Sequence, residues 1–251
     1  MKISKLILYK FDKLINEIHL KTSAHSRPER NPGIPNVTSF SRILDNAARS
    51  QYDSVIKELF QLVPNMMARK IPEANIQQAF VFDTLKKLAF KLSAPKILCI
   101  GCYEDTAAAA LNRLGYRMDE IDPSINFDLD EFSNQPSTVK GSYDIIFSTS
   151  VLEHVENDAL FLMQIAELLA PGGTAILTCD FNDQFKPGDP LPKEDFRFYT
   201  QKDLKQRLLP LLKNCSLVDS PQWDCPNPDF TYADCRYTFA TLVFKKAGHN
   251  T

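Results

Sequence analysis

The stretch that decides the fold is residues 143–180, YDIIFSTSVLEHVENDALFLMQIAELLAPGGTAILTCD. Its apolar run at 145–147 is typical of a strand buried on both faces of a parallel sheet. Apolar residues then recur at helical spacing as far as Leu169, and the Pro-Gly-Gly turn at 171–173 ends the helix before a second strand at 174–178. A strand, helix and strand of this length form one right-handed crossover, so the sequence predicts two parallel strands that are neighbours or nearly so.

A similar unit lies upstream. Residues 96–100 form a short apolar strand, Gly101 follows at the turn, and an alanine-rich segment at 106–114 predicts a helix. A second strand at 116–121 then ends in Asp122. This arrangement is typical of nucleotide-binding βαβ units, because the turn lets a cofactor approach the backbone and the carboxylate accepts hydrogen bonds from ribose hydroxyls.

The two units together resemble the class I S-adenosylmethionine-dependent methyltransferases. ILCIGCYEDTAAAAL (97–111) stands at the glycine-rich cofactor loop and EIDPS (120–124) at the ribose-binding acid. SYDIIFSTSVLEHV (142–155) and LLAPGGTAILT (168–178) match the family's fourth strand, the helix after it and the fifth strand. The resemblance extends over residues 94–247. It implies an α/β fold, a Rossmann-like parallel sheet with an antiparallel C-terminal strand and helices on both faces, and S-adenosyl-L-methionine as the cofactor.

The resemblance implies six residues that contact the cofactor, all within the first three of these segments. They are Gly101, Cys102, Tyr103, Asp122, Ser148 and Thr149. Only the first of the family's three loop glycines is present, and Tyr103 and Asp105 replace the other two. We therefore expect a differently shaped loop, with carboxylates facing the ammonium of the cofactor; the alternative is a degenerate loop whose cofactor site is weakened or lost.

His154 is the candidate catalytic residue, because it lies just beyond the 144–149 strand, beside the expected methyl position. A hydroxyl acceptor needs a base near its proton, and the ordinary pKa of histidine suits that role. The alternative is that His154 only supports the loop. Cys99 and Cys102 form a C-x-x-C pair without a matching second pair, so we expect reduced core thiols and not a metal or redox site.

Three residues are candidates for binding the acceptor. Arg197 and Tyr199 suit an anionic group such as a phosphate, although they also fit an ordinary loop arginine and a core tyrosine. Trp223, in the polar loop 222–235, offers an aromatic face for stacking or anchors the loop to the domain. The acidic residues after the fifth strand, Asp180 and Asp183, are interpreted as a polar turn, and no metal is predicted.

Residues 1–92 are predicted to be a helical N-terminal extension or cap, and residues 93–247 the Rossmann-like domain. The extension contains predicted helices at 3–20, 40–62 and 72–92, with an irregular, proline-containing connector at 22–37. The helix at 3–20 is amphipathic, with a basic polar side and an apolar face formed by Ile7, Phe11, Leu14 and Ile18. It suits a membrane surface or a partner, or packing on its own domain or on a second subunit, which we favour.

The segment at 123–143 is too short for the helix and strand that the family has there. Residues 126–130 alternate in polarity and predict a short edge strand. The residue that reads adenine is not assigned.

Composition narrows the function classes. A formal net charge of −2 argues against a nucleic-acid binder, and the chain has no apolar run that would span a bilayer, so a cytoplasmic location is expected.

The sequence predicts methyl transfer from S-adenosylmethionine to a hydroxyl of a small-molecule or glycan-type acceptor. One alternative is a non-catalytic scaffold of the same fold that binds a partner protein, and homo-oligomers or partners are expected through the N-terminal helices. A nicotinamide-dependent oxidoreductase is disfavoured by the single retained glycine.

Overall fold

The computed structural model describes residues 4–22 and 39–248, so the predicted connector at 22–37 lies, from residue 23 on, outside the described residues. Seven strands form the sheet: β1 Ile97–Ile100, β2 Asp119–Ile121, β3 Tyr143–Thr149, β4 Leu169–Phe181, β5 Cys215–Leu217, β6 Phe230–Tyr232 and β7 Cys235–Lys246. Their order is β2-β1-β3-β4-β7-β5, with β6 paired to β7. The strands β1 to β4 are parallel to one another, whereas β7 is antiparallel to both β4 and β5. The predicted fold class is confirmed.

Seven α-helices surround the sheet: α1 Lys5–Thr22, α2 Asn46–Leu62, α3 Pro64–Met67, α4 Asn75–Ala89, α5 Thr106–Arg113, α6 Leu129–Ser133 and α7 Asp158–Leu168. Successive strand residues point to opposite faces, so each strand contributes to two cores. Ile145 and Phe147 face the core that contains α2, α4 and α5, whereas Ile146 faces the core that contains α7. A strand buried on both faces needs the continuous apolar run seen in the sequence.

Gly173 shapes the start of β4. The register between β3 and β4 shifts here, since Tyr143 pairs with Leu169 but Ile145 pairs with Thr174. A Cβ atom on Gly173 would lie 2.7 Å from the Tyr143 carbonyl oxygen, closer than real contacts allow. The Pro-Gly-Gly segment, predicted to end the helix before the strand, instead lies within β4, which begins at Leu169. Gly173 is needed there because the backbone of β3 approaches it closely.

The edge strand predicted at 126–130 was wrong. Within the described stretch 119–149 the chain has no strand between β2 and β3, and α6 follows instead. Asp128 caps that helix by accepting from the Glu131 amide at 2.8 Å, and Glu131 accepts from the Asp128 amide in return. Side chains that bond the local backbone in this way favour helix starts over strands, and polarity alternation does not reveal it.

The N-terminal helices α2 and α4 belong to the main core of the molecule. Tyr52 and Leu59 of α2, and Phe80 and Phe82 of α4, are fully buried in the same apolar cluster as Ile145 and Phe147 of β3. The domain boundary at residues 92 and 93 stays a prediction. These two helices cover one face of the sheet and place residues of α4 beside the strand ends.

The helix α1 packs on the domain through its polar side. Tyr9 donates to Glu120 at 2.5 Å, and Asn16 accepts from Arg113 at 2.8 Å. The side chains of Ile7, Phe11 and Leu14 are between 54 and 60% exposed. Among the described residues, no helix is both long and apolar enough to cross a membrane.

Candidate functional site

A cavity of about 1350 Å³ opens at the carboxyl ends of β1, β2 and β3. Gly101 begins its floor in a left-handed conformation, with φ +82°. A Cβ atom there would lie 2.4 Å from Cγ2 of Val151, so the position requires glycine for both its conformation and its space. The amides of Gly101 and Cys102 donate to the Ile121 carbonyl, which joins the loop to the end of β2.

Asp122 connects this loop to the next one. Its Oδ2 accepts from the Tyr103 amide at 3.2 Å and its Oδ1 from the Ser124 amide at 2.7 Å. The carboxylate lines the cavity and is half-buried. Each oxygen keeps a further lone pair, so Asp122 can also accept hydrogen bonds from a ligand.

Two buried polar atoms border the same part of the cavity. Asp105 caps α5 by accepting from the Ala108 amide at 2.7 Å. Its Oδ2 and the hydroxyl oxygen of Thr149 make no hydrogen bond within 3.5 Å among the described residues, although the Thr149 and Gln78 side chains are near enough to lower the pKa of Asp105. Burial raises the pKa of Asp105, and the bond from the Ala108 amide opposes that rise. Buried polar groups without partners are uncommon in native proteins, so a polar ligand is expected at these atoms.

The other two predicted cofactor residues lie behind the cavity wall. Cys102 and Ser148 are buried and do not line the cavity, and the Ser148 hydroxyl also has no partner among the described residues. Burial raises the pKa of the Cys102 thiol to about 12, so the thiol is protonated at neutral pH. Cys99 is a fully buried free thiol.

His154 lines the same cavity beside the loop after β4, and its Nδ1 atom is held by two acceptors. It donates to the Glu194 carbonyl at 3.0 Å and lies 2.9 Å from Oδ1 of the buried Asp195. A carbonyl accepts only, so Nδ1 carries a hydrogen and Nε2 is the nitrogen that can exchange a proton with a ligand. Burial lowers the pKa of His154, but the bond to Asp195 and the charge of Glu153 outweigh it and raise the pKa to about 9.

Two further carboxyl groups lie beneath His154. Glu153 and Asp180 are both buried, and burial followed by the charge of Glu153 raises the pKa of Asp180 well above its ordinary value. Burial also raises the pKa of Glu153, and the charge of His154 opposes that rise. Glu153 accepts from the Ser150 hydroxyl at 2.5 Å, and Ser150 has a positive φ of 55°. Strained backbone of this kind is concentrated at functional sites.

Arg197 and Tyr199, predicted to bind the acceptor, are instead engaged with Asp158. This buried carboxylate lies 2.8 Å from Nη1 of Arg197, and it accepts from the Tyr199 hydroxyl at 2.8 Å. Arg207 donates to both of its oxygens, at 2.8 and 2.9 Å. Neither Arg197 nor Tyr199 lines the cavity, and Tyr199 is the core tyrosine of the alternative interpretation. The cluster holds the end of the loop 182–198 against the start of α7.

Trp223 is also outside the cavity. Its side chain is 1% exposed, and its indole N–H donates to the Thr241 carbonyl at 3.0 Å. It anchors the loop 222–235 to β7, which was the other role left open for it. No residue of that loop lines the cavity, whereas Lys193, Glu194, Asp195 and Phe196 of the loop after β4 do.

Acidic residues outnumber basic ones in the cavity lining. They are Glu104, Asp105, Asp122, Asp128, Asp130, Glu156, Glu194 and Asp195, against Lys5, Arg69, Lys70 and Lys193. Such a lining favours a ligand with positive charge. Within residues 4–22 and 39–248 no group of three or more His, Cys, Asp or Glu side chains is arranged to hold a metal ion.

The family described as "Methyltransferase domain" matches residues 73–211, which is more than half of the chain. The chain belongs to this methyltransferase family. The match confirms the resemblance to the class I S-adenosylmethionine-dependent methyltransferases, and it includes α4 as well as the strands that form the cavity.

Several solved structures are similar to this methyltransferase at low identity. One is the 1,6-didemethyltoxoflavin-N1-methyltransferase of Burkholderia thailandensis, solved with 1,6-didemethyltoxoflavin and S-adenosylhomocysteine (16% identity, TM-score 0.48, 79% of this chain and 90% of that chain). Another is the CcbJ methyltransferase of Streptomyces caelestis (14% identity, TM-score 0.47, 72% and 98%). The [4+2]-cyclase SpnF also matches (13% identity, TM-score 0.46, 77% and 94%). A shared fold at this distance does not imply a shared reaction.

Sequence reasoning missed several residues of the site. Gln77 of α4 donates to Ser150 at 3.3 Å and accepts from Thr178 at 2.6 Å, so it connects the ends of β3 and β4. Gln78 accepts from Thr106 at 2.9 Å and from the Ala107 amide at 3.0 Å, and thereby caps α5. No local pattern marks these glutamines, because their partners lie 28 or more positions away.

Proposed function

We propose that this methyltransferase transfers a methyl group from S-adenosylmethionine to a hydroxyl of a small-molecule or glycan-type acceptor. The observation that carries the proposal is a single cavity whose lining includes both Asp105 and Asp122, which we call its cofactor end, and His154 and Asp195, which we call its acceptor end. One end offers acceptors for a cationic nucleoside-type cofactor, and the other offers a group that can take a proton from a hydroxyl.

The residues at the first end fit S-adenosylmethionine. Asp122 would accept from the ribose hydroxyls, and the unpartnered Oδ2 of Asp105 would accept from the ammonium group, as expected for a carboxylate in this loop. Thr149 supplies a further buried hydroxyl. An apolar wall that includes Phe127, Leu129 and Phe161 suits a purine ring. The bound cofactor would supply an electrophilic methyl group on a sulfonium.

His154 would accept the proton of the hydroxyl through Nε2 as the methyl group is transferred. Asp195 would act as the positioning residue, because its bond to Nδ1 orients the ring and stabilises the imidazolium that forms. A pKa of about 9 leaves most His154 protonated at neutral pH. The neutral form that can act as a base therefore increases with pH, and kcat/KM should rise up to about pH 9.

Titration calorimetry with S-adenosylhomocysteine tests the cofactor assignment. We expect saturable one-site binding, and an absence of heat at millimolar ligand would reject the enzyme proposal in favour of a non-catalytic scaffold. NADH is the matched ligand for the oxidoreductase alternative. Binding of NADH without binding of S-adenosylhomocysteine would reverse the assignment.

The acceptor class is tested with S-adenosylmethionine labelled on its methyl group. The protein is incubated with fractionated metabolite and glycan extracts, and labelled products are identified by mass spectrometry. A methyl ether supports the hydroxyl acceptor. A methylated amine or thiol would leave the methyltransferase assignment intact but reject the hydroxyl acceptor and the need for a base.

A further inference from the structure

The helix α1 is oriented with its polar side toward the domain and its apolar side toward solvent. Tyr9 and Lys13 bind Glu120, and Asp12 forms a 2.8 Å ion pair with Arg69. Asn16, the buried residue of this helix, accepts from Arg113. An amphipathic helix normally buries its apolar face, so this orientation is the reverse of the usual one.

The opposite side carries an apolar stripe formed by Ile7, Phe11, Leu14 and Ile18, each more than half exposed. Their spacing of four, three and four residues is the a/d spacing of a coiled-coil seam. A contiguous exposed apolar patch of this kind marks an interaction surface.

We propose that the stripe is the contact between two copies of this chain, whose α1 helices pair antiparallel about a twofold axis. The stripe is symmetric about its midpoint, between residues 12 and 13. An antiparallel partner therefore places Ile7 against Ile18 of the second copy and Phe11 against Leu14 of the second copy. Each of these pairs joins an a position of one helix to a d position of the other, as in a coiled coil. Isologous contacts about a twofold axis are also the commonest kind in homo-oligomers.

The charges beside the stripe complement each other in the same register. Lys10 and Glu17 are both exposed, and their seven-residue separation places them on the same flank of the helix. The twofold axis brings that flank of one copy beside the same flank of the other. Lys10 then lies about 3 Å along the axis from Glu17 of the second copy, by the helical rise per residue, and the pair occurs twice.

A lipid surface fits the charges less well. Membrane-surface helices direct Lys and Arg toward headgroups. Here Lys13 is engaged with Glu120 and Lys5 lies 3.5 Å from the Ser124 hydroxyl, both on the domain side. Asp12 and Glu17 add negative charge to the same helix.

One face of an 18-residue helix supplies less than the roughly 800 Å² per partner of a standard stable interface. We therefore expect a reversible dimer whose population depends on concentration. Sedimentation velocity on the full chain, from low to high micromolar concentration, measures this equilibrium. Phe11→Asp should raise the dissociation constant at least about tenfold, as expected for an interface anchor. Val139→Asp, an equally exposed apolar position on a different loop, is the matched control and should change nothing.

A charge swap distinguishes a second copy from other occupants. Lys10→Glu places like charges beside Glu17 of the second copy and should weaken the dimer, and Lys10→Glu with Glu17→Lys should restore it. Recovery by the double variant requires that the two positions face each other across copies. A wild-type monomer at every concentration would overturn the proposal, and so would a double variant no tighter than Lys10→Glu. Flotation of a monomer with phosphatidylglycerol vesicles, abolished by Phe11→Asp, would assign the stripe to lipid instead.

Discussion

The two ends of the cavity are constructed differently. The cofactor end is made mainly from main chain and from carboxylates that close local turns: Gly101, the Tyr103 amide and Asp122 lie within 22 positions of one another. The acceptor end is made from side chains on separate elements, with the exposed His154 held by Asp195 from 41 positions away. Changes at the first end should therefore alter ligand affinity, whereas changes at the second should alter turnover and proton affinity.

The largest expected effect is at the acceptor end. His154→Ala should lower kcat by roughly 10²–10⁴-fold, the range for a lost general base. The affinity for S-adenosylhomocysteine should be unchanged, because the ring of His154 is held by Glu194 and Asp195 and not by Asp105 or Asp122. His154→Asn, whose amide Nδ2 keeps a donor near the Nδ1 position for Asp195 but cannot act as a base, should be as slow as the alanine variant. Turnover near the wild-type rate in either variant would remove His154 from the mechanism, and loss of cofactor affinity would make its role structural.

At the cofactor end, Gly101→Ala should destabilise the folded protein and its cofactor complex by about 2–4 kcal/mol. The left-handed backbone contributes about 1–2 kcal/mol and the overlap with Val151 the remainder. Gly172→Ala is the matched control, since φ there is +77° but no atom lies within 4 Å of the added Cβ. Thermal unfolding should show a clearly smaller loss for the control. Equal losses of thermal stability in the two variants would mean that the close approach of Val151 to position 101 does not contribute to the destabilisation.

Asp122→Ala should weaken S-adenosylhomocysteine binding by roughly 2–3 kcal/mol, the loss expected for charge-assisted hydrogen bonds to the ribose. The variant also removes the acceptor for the Tyr103 amide. Asp119→Ala is the control on the same strand, because Asp119 accepts from the Tyr143 hydroxyl and does not line the cavity. Calorimetry that finds the same affinity for Asp122→Ala and wild type would show that the ribose lies elsewhere.

The smallest expected effect is a change in the pKa of His154 at the acceptor end. In wild type, an NMR titration should place the pKa of His154 at about 9. Asp195→Asn removes the charge beside Nδ1, so the pKa should fall toward the ordinary histidine value of about 6.5. Any pH dependence of kcat/KM should move down in parallel.

Glu194→Gln is the control for that titration, since Glu194 contacts His154 through its backbone carbonyl. Its variant should keep the wild-type pKa. An Asp195→Asn variant that titrates as wild type would show that Asp195 does not set the proton affinity.

The sequence determined which strands and turns form beside the cavity. The run at 145–147, the turn at 171–173 and the acid at Asp122 depend on local periodicity and turn chemistry, which a chain expresses over a few residues. The edge strand at 126–130 failed for a related reason. The capping box formed by Asp128 and Glu131 favours a helix, whereas the weak alternation of polar and apolar residues favours a strand. Both patterns are local, so the sequence alone did not show which of the two would prevail.

Only the tertiary structure decided which partners the long polar side chains bind. Arg197 and Tyr199 have the composition of an anion clamp, but Asp158, some 40 positions away, takes up their donors in the core. Trp223 likewise finds its acceptor on Thr241. Hydrogen bonds and ion pairs act over about 3 Å in space and carry no signature in sequence separation. Periodicity therefore settled which elements form, while burial and charge pairing settled which side chains remain free to meet a ligand.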